Sequence, residues 1–405
     1  MSKNVPEVRF EGFNEDWKQR KLVEITKVIT KGTTPKDKSG KGDINFIKVE
    51  NIDSISGEIS ITSKVSNKEH EGYLKRSQLE NGDILFSIAG TLGRVTVVKK
   101  NILPANTNQA LAIIRLKEGN TNFITTYLKG KAVDDYIRKN PTVGAQPNLS
   151  LQQMGNLIID YPSNQEQTKI GSFFKQLDDT IALQQQLVEQ QQQYKKAMLQ
   201  KMFPQKGERV PKVRFSGFTG DWEIRKFKDF ISKAGKKNSS GKDYISYSVS
   251  NKLGLIRQDE QFEGSRLDDL DKKAYKLVNP NEFAYNPARI NVGSIAFNNL
   301  GNAVIVSSLY VVLKMSDKIN NEYILQFIKS LNFTNEVKKN TEGSVREYLF
   351  YENFKNIKFP YTFNYKEQQR IGDFFKQLDD TIALHQKKLE DYQQLKKALL
   401  QRMFV

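Results

Sequence analysis

Two stretches of the chain repeat apolar residues at a 3-4 spacing over nearly forty positions. The first carries Ile170, Phe174, Leu177, Ile181, Val188, Met198 and Met202, and the second Ile371, Phe375, Leu378, Ile382, Leu389, Tyr392, Leu399 and Met403. That period is the α-helix's own and predicts one apolar stripe along each helix. Ser163 with Glu166, and Asn364 with Glu367, fit capping boxes at the two starts, and Pro204 stops the first helix. Lys195, Lys196 and Lys201 crowd the first C-terminal end, where the helix dipole favours cations. Each helix covers some 38 residues, roughly 57 Å at about 1.5 Å per residue. A rod of that length needs somewhere to bury its stripe. The matching stripe of the other copy is the expected partner. Gln184 and Gln191 interrupt the seam, His385 holds the place of Gln184 in the second helix, and such polar seam residues set register. The stripes alone leave parallel and antiparallel pairing open; an antiparallel pair would give the chain an internal pseudo-twofold axis.

Between the helices the pattern shortens to strands and loops. Leu111 to Leu116 alternates and matches Tyr310 to Met315, and Asn81 to Phe86 loosely parallels Pro280 to Tyr285. Gly93 falls near the counterpart of Gly293, and Gly144 near that of Gly343. The longest apolar run, Val304 to Leu313, alternates like a strand and is too short to cross a membrane. The opening residues lack the apolar stretch of a signal peptide. The expectation is a soluble, cytoplasmic protein.

The chain is also written twice. Val5 to Phe13 returns as Val210 to Phe218, each copy then reaching Asp-Trp at Asp16-Trp17 and Asp221-Trp222, and these are the only tryptophans. Phe173 through Leu183 is identical, residue for residue, to Phe374 through Leu384. The unit is therefore about 200 residues long. Its ends match, while 26–160 and 231–360 share only a faint skeleton, as two readers of different ligands would. The boundaries expected are a first recognition domain over 1–163, a spacer helix over 164–204, a linker at 205–209 opening a second domain that runs to 363, and a second helix over 364–405.

Charge then narrows the partner. Lys plus Arg number 63 against 46 Asp plus Glu, a net +17, which favours a polyanion. With no cysteine and only His70 and His385 as histidines, thiolate or histidine metal centres and nucleophilic triads are not expected. No ATP-binding loop of the G-x-x-x-x-G-K-[ST] type occurs, nor a glycine-rich S-adenosylmethionine loop, nor a Pro-Pro-aromatic signature. The paired carboxylates Asp178-Asp179 and Asp379-Asp380 are expected on the helix surface, solvated or facing a partner. These absences point to a binding protein.

A basic, small-residue segment follows each Trp block. In the first unit it includes Lys31, Thr33, Thr34, Lys36, Lys38 and Lys41, and in the second Lys236, Lys237, Asn238 and Lys242. Lysines meet phosphates, and small residues let backbone amides approach them. Base reading needs paired donors and acceptors. On loops between strands these are Lys48, Asn51, Arg94, Asn106, Asn108, Gln109 and Gln146 in the first domain. In the second they are Asn251, Lys252, Arg289, Asn291, Ser344 and Arg346.

Duplicated α/β domains, each closed by a long helix with the same terminal sequence, resemble the DNA-specificity subunits of Type I restriction-modification systems. The most specific elements are Glu166-Gln167, Ile170 to Phe174 and Leu177-Asp178, with Glu367-Gln368, Ile371 and Leu378-Asp379 in the second copy. The Arg-Phe-x-Gly-Phe…Trp openings at 9–17 and 214–222 look like the family too. Gly32-Thr33-Thr34-Pro35 resembles a Gly-x-Thr-Pro stretch of such domains, which the second unit replaces with Lys236-Lys237-Asn238. The resemblance spans essentially the whole chain. It implies an α+β fold: two tandem α/β target-recognition domains separated by two long helices packed as an antiparallel coiled coil. It also implies a non-catalytic subunit whose two domains each read half of a split target on double-stranded DNA. The helices would measure the unread gap of about 5–8 bp. Two methyltransferase subunits would dock on them and two motor-nuclease subunits join. S-adenosylmethionine, ATP and Mg would belong to those partners, with no cofactor on this chain and no membrane contact.

Overall fold

The computed structural model describes residues 5–54, 56–139, 148–251, 254–261, 272–341 and 348–404. It contains two compact units, one of residues 1–187 with 385–405 and one of residues 188–384. Both long helices are thus divided between units.

In the first unit the strands are β1 (Lys18–Lys21), β2 (Thr26–Lys31), β3 (Ile44–Ile47), β4 (Ser63–Val65), β5 (Ile84–Ser87), β6 (Val95–Val97), β7 (Ala105–Thr107), β8 (Leu111–Leu116) and β9 (Ile158–Tyr161). They form a four-stranded sheet ordered β2-β8-β5-β6, a three-stranded sheet β4-β3-β7 and the pair β1-β9. The helices are α1 (Leu22–Ile25), α2 (Asn67–Glu71), α3 (Thr121–Leu128), α4 (Lys131–Lys139), α5 (Leu151–Gly155) and the long α6 (Asn164–Met202). The predicted strand over Leu111 to Leu116 is β8, centred in its sheet and antiparallel to both β2 and β5. Its partner β5 is buried at every position, which accounts for the continuous apolar run Ile84-Leu85-Phe86.

The second unit repeats the frame. Its strands are β10 (Glu223–Lys226), β11 (Ile231–Lys233), β12 (Ser246–Ser250), β13 (Gly254–Arg257), β14 (Lys276–Val278), β15 (Glu282–Tyr285), β16 (Ile295–Phe297), β17 (Val304–Val306), β18 (Val311–Met315) and β19 (Lys358–Tyr361). The sheet β11-β18-β15-β16 matches the first unit's four-stranded sheet, and β10-β19 matches β1-β9; the other sheet is four-stranded, β13-β12-β17-β14. The apolar run from Val304 to Leu313 is therefore two strands of different sheets. Helices α7 (Gln258–Gln261), α8 (Asn321–Ile328), α9 (Leu331–Asn340), α10 (Tyr351–Phe354) and the long α11 (Tyr365–Arg402) complete the unit. Among the described residues no helix is long and apolar enough to cross a membrane.

The long helices run antiparallel within each unit. In the first, Phe174 meets Phe404, Asp178 meets Lys396, and Gln184 Nε2 donates to the His385 carbonyl at 3.0 Å, so the numbers fall along α11 as they rise along α6. In the second, Phe375 stacks on Phe203 and Asp379 pairs with Lys195 in the same sense.

The seam is not one continuous stripe. Ile170 and Phe174 sink into the first unit's core with Trp17, Phe86, Ile114, Phe123 and Met403. Ile371 and Phe375 do the same in the second core with Met202, Phe203, Trp222, Phe283 and Tyr323, where Met198 packs at the edge. Helix-on-helix burial is left to Leu177, Ile181 and Leu389, with Tyr392 and Leu399 beside them. Val188 is buried, while Leu378 and Ile382 are half-buried. The first two turns of each stripe therefore serve the α/β domain, and the middle serves the pairing.

Candidate nucleic-acid interface

Each recognition domain is clasped to its helix by the same residues. Arg9 pairs with Glu166 through Nε at 2.7 Å and Nη2 at 2.8 Å, and Arg214 pairs with Glu367 at 2.6 and 3.0 Å. Both glutamates are essentially fully buried. Ser163 and Asn364 do cap the helices, accepting from the backbone N–H of Glu166 and Glu367. The glutamate carboxylates, however, turn to arginine instead of closing a capping box. Buried carboxylates require such a partner. The neighbouring glutamines repeat too: Gln167 Oε1 accepts from the Asn120 backbone and Gln368 Oε1 from the Asn320 backbone, both at 2.9 Å. Asn120 and Asn320 are in turn the N-caps of α3 and α8. The openings at 9–17 and 214–222 and the Glu-Gln pairs are thus two sides of one device. At Gly171 an added Cβ would lie 2.6 Å from Asn120 Oδ1 and 2.7 Å from the Phe123 nitrogen, so only glycine lets the helix lie this close.

From this clasp the candidate DNA-contacting loops of the first unit converge. Leaving β2, the chain turns at Gly32, whose backbone lies so close to Thr107 and Asn108 that a Cβ would fall 2.1 Å from the Asn108 carbonyl. Thr33 donates from its backbone to the Thr107 carbonyl at 2.9 Å, and the Thr34 hydroxyl bonds to Gln109. Thr34, Lys38, Lys48, Asn108 and Gln109 thereby line one groove of about 260 Å³. Lys64 of β4 lines it as well. Arg76 reaches Thr33 Oγ1 at 3.4 Å, and Lys36 sits 4.6 Å over the Tyr73 ring. Lys31 and Lys41 are exposed outside the groove lining. The sequence reading missed Lys64, Arg76 and Tyr73. Lys64 lies in a three-residue strand with no basic run around it, so nothing in the local pattern marked it.

Three candidates of the first domain turn inward. Asn106 is fully buried: its Nδ2 donates to the Leu74 carbonyl and Ser77 Oγ, and its Oδ1 lies 2.6 Å from His70 Nδ1. Asn51 Oδ1 accepts from the Lys48 backbone and its Nδ2 donates to Thr62 Oγ1. Arg94 places Nη1 on the carbonyls of Ile52 at 2.7 Å and Val49 at 3.2 Å. The amides of Asn51 and Asn106 are spent on neighbouring groups, and half-buried Arg94 spends Nη1 on backbone carbonyls. The sequence put all three on loops; Asn106 instead lies within β7, and each serves as an internal tie.

In the second unit the candidates fall into two groups. Lys236 and Lys237 are exposed and run beside β14, with Lys237 bridging Lys276. Burial first, then Lys233 and Lys237, hold Lys276 below its ordinary lysine range. Lys242 lies 5.1 Å over the Tyr244 ring. Asn238 is a correction of the same kind as Asn106: it is buried, with Nδ2 donating to the Lys242 carbonyl at 2.9 Å. In the second group the Asn251 turn adjoins the turn that carries Arg289 and Asn291, since a Cβ at Gly293 would lie 3.9 Å from that of Asn251. Gly293 holds φ +87° and its counterpart Gly93 +82°, left-handed values that favour glycine at both turns. Gln146, Lys252, Ser344 and Arg346 lie outside the described residues, as do Gly144 and Gly343.

Asp178 and Asp379 are not free surface carboxylates. Asp178 pairs with Lys129 and Lys396, and Asp379 with Lys195 and Lys329. Their neighbours Asp179 and Asp380 remain exposed, each paired one turn back to Lys175 or Lys376. Among the described residues no group of three His, Cys, Asp or Glu side chains could hold a metal.

Two α/β domains of one frame, each clasped to a long helix and presenting unlike basic loops, define a tandem recognition protein. A model of the Type I restriction modification DNA specificity domain matches the chain twice, over residues 14–191 and 219–393. The chain belongs to that family. It is 22% identical over 412 residues to the Type I restriction enzyme MjaVIII specificity subunit of Methanocaldococcus jannaschii, covering 95% of this chain and 91% of that one. Over 170 residues it is 25% identical to the Type I restriction enzyme EcoBI specificity subunit of Escherichia coli, 40% of this chain and 35% of that one. The fold is similar to the crystal structure of the Type I restriction-modification S subunit from M. genitalium, with a TM-score of 0.67 at 14% identity over 99% of each chain.

Proposed function

We propose that this chain is the specificity subunit of a Type I restriction-modification complex, and that each recognition domain reads one half of a bipartite DNA target. The observation that carries this is the split between what repeats and what does not. The clasp residues Arg9, Glu166 and Gln167 return as Arg214, Glu367 and Gln368, while the groove residues Thr34, Lys38 and Gln109 of the first domain have no residue-level copy among the described residues of the second. One frame with two different faces suits two different half-sites.

The long helices act as the ruler for an unread gap of about 5–8 bp, half-sites on one face of a duplex lying about 10 bp apart. They also dock the modification subunits. Two methyltransferase and two motor-nuclease subunits complete the assembly, and S-adenosylmethionine, ATP and Mg are bound by those partners. The net charge of +17 supplies the non-specific share of DNA affinity through phosphate contacts.

The deciding experiment is sequencing of methylated adenines in cells that make this chain together with a methyltransferase subunit. A two-part motif with a fixed gap is expected. A continuous motif would refute the reading. Binding assays complement it: the chain alone should bind its target weakly, and specific binding should rise when the modification subunit is added. A self-sufficient regulator would instead bind a gapped site tightly with no partner.

A further inference from the structure

Each unit buries the same cluster of three charges, drawn from three separate stretches of chain. In the first, Asp178 of α6 meets Lys396 of α11 at 2.5 Å and Lys129, the C-cap of α3, at 3.6 Å. In the second, Asp379 of α11 meets Lys195 of α6 and, at 3.5 Å, Lys329, the C-cap of α8; Gln326 donates to the same carboxylate from 3.3 Å. Lys129 corresponds to Lys329, Asp178 to Asp379 and Lys195 to Lys396 in the repeat. Lys195 and Lys396 are each only 14% exposed at the side chain. Burial holds Lys129 and Lys195 below the ordinary lysine range in spite of their aspartates.

Two members of each triad are already fixed to one another. The recognition domain is seated on its own helix at Gly171 or Gly372, where a Cβ would lie 2.6 or 2.8 Å from the nearest atom of the α3 or α8 start. Lys129 and Asp178 therefore keep their relation whatever the other helix does. Only the third member, the lysine of the other helix, depends on how the two rods are aligned. Phe404 and Phe203 seat the helix ends in the two cores and Gln184 meets His385 in the seam. Between these points the helices share only the apolar contacts of Leu177, Ile181 and Leu389, and the lysine–aspartate pairs are the charged contacts that a shifted rod would break. A one-turn shift is about 5.4 Å. It would strand the aspartate half-buried without its second cation, an outcome disfavoured for a desolvated charge.

We propose that Lys195 and Lys396 are spacing-determining residues: by seating on Asp379 and Asp178 they select one register of α11 against α6, and with it the length of the unread gap. The gap part of this inference rests on the helices being the ruler; the register part does not. A slip of about 5.4 Å corresponds to between one and two base-pair steps of about 3.4 Å.

The chain has no cysteine, so a Gln184→Cys/His385→Cys pair, at residues whose side chains meet across the helices, reports register through its disulfide rate relative to the same pair in the otherwise native chain. In the full chain carrying Lys195→Met and Lys396→Met, disulfide formation should slow about tenfold, the scale of a pairwise charge coupling. In complex with the methyltransferase subunit, the Met variant (without the cysteines) should methylate a library of targets at gaps one or two base pairs from the native one. Arg at both positions should keep the native rate and gap. A folded Met variant with native disulfide rate and a single gap overturns the proposal. A slowed disulfide with an unchanged single gap keeps the register role and overturns the ruler. Should the Met variant not fold, Lys195→Gln with Lys396→Gln decides: a slowed disulfide with a spread of gaps supports the triads, and a native rate with a single gap overturns them.

Discussion

Leaving β2, the first domain's chain turns at Gly32 against Thr107 and Asn108 and stays at the mouth of a groove. Leaving β11, the second domain's chain turns at Gly235, where a Cβ would lie 2.6 Å from that of Val312, and then runs along β14. The turn residue and the strand order before it are shared. Past the glycine the two paths part: the first loop hydrogen-bonds to Thr107 and Gln109, the second to the backbone of Leu277. The difference shows where this fold tolerates change. The clasp, the caps of α3 and α8 and the four-stranded sheet repeat in kind, while the loop past the turn takes a different path in each domain.

If the two clasps are equivalent, paired substitutions should injure the two units alike. The largest effect is expected for Phe203→Ala, with Phe404→Ala its counterpart. Each ring stands in an aromatic cluster, Phe404 with Trp17, Phe123 and Phe174, and Phe203 with Trp222, Tyr323 and Phe375. Phe203, fully buried, should cost roughly 3–5 kcal/mol in denaturant unfolding and half-buried Phe404 about 2–3 kcal/mol, and hydrogen exchange should place the damage in 5–187 for Phe404 and in 205–384 for Phe203. Damage on the sequence-adjacent domain instead would break the comparison.

Next come Arg9→Ala and Arg214→Ala, each leaving a buried glutamate unpaired at about 3 kcal/mol. The loss should be nearly the same in both, read from the shift in denaturant midpoint. Gly171→Ala and Gly372→Ala should each cost about 2 kcal/mol by overpacking; Gly171 should suffer more, since its added carbon would meet Asn120 and Phe123 at 2.6–2.7 Å against 2.8 Å at Gly372. The smallest effect sharpens the other side of the comparison. Lys38→Ala with Lys48→Ala should leave stability unchanged and reduce the slope of log affinity against log salt by up to roughly 0.9 per lost phosphate contact. An unchanged slope would remove the groove from the DNA interface.

The long helices, their caps and the twofold writing of the chain were legible because 3-4 periodicity and repetition survive without knowledge of tertiary contacts. The central strand Leu111 to Leu116 was legible for the same reason. The loop residues were less so. Thr34, Lys38, Lys48, Asn108 and Gln109 do share one groove, whereas Asn51, Asn106, Arg94 and Asn238 look identical in type and face inward. A polar residue on a loop can satisfy a backbone or greet a ligand, and only the path of the chain decides. Asp179 and Asp380 lie exposed as expected, whereas Asp178 and Asp379 were misjudged because their lysines come from distant stretches. Aligning Lys129 with Lys329 inside the diverged middle was the available clue.

The partition of the chain into 188–384 on one side and 1–187 with 385–405 on the other has a consequence for biosynthesis. A ribosome delivers the second unit as a single uninterrupted stretch, free to consolidate as soon as it emerges. The first unit must wait, its interior open, until Met403 and Phe404, made after the whole of the second unit, arrive to close it. Nascent chains should therefore acquire protease resistance out of order, the second unit first, and truncation before Met403 should cripple the first unit while sparing the second.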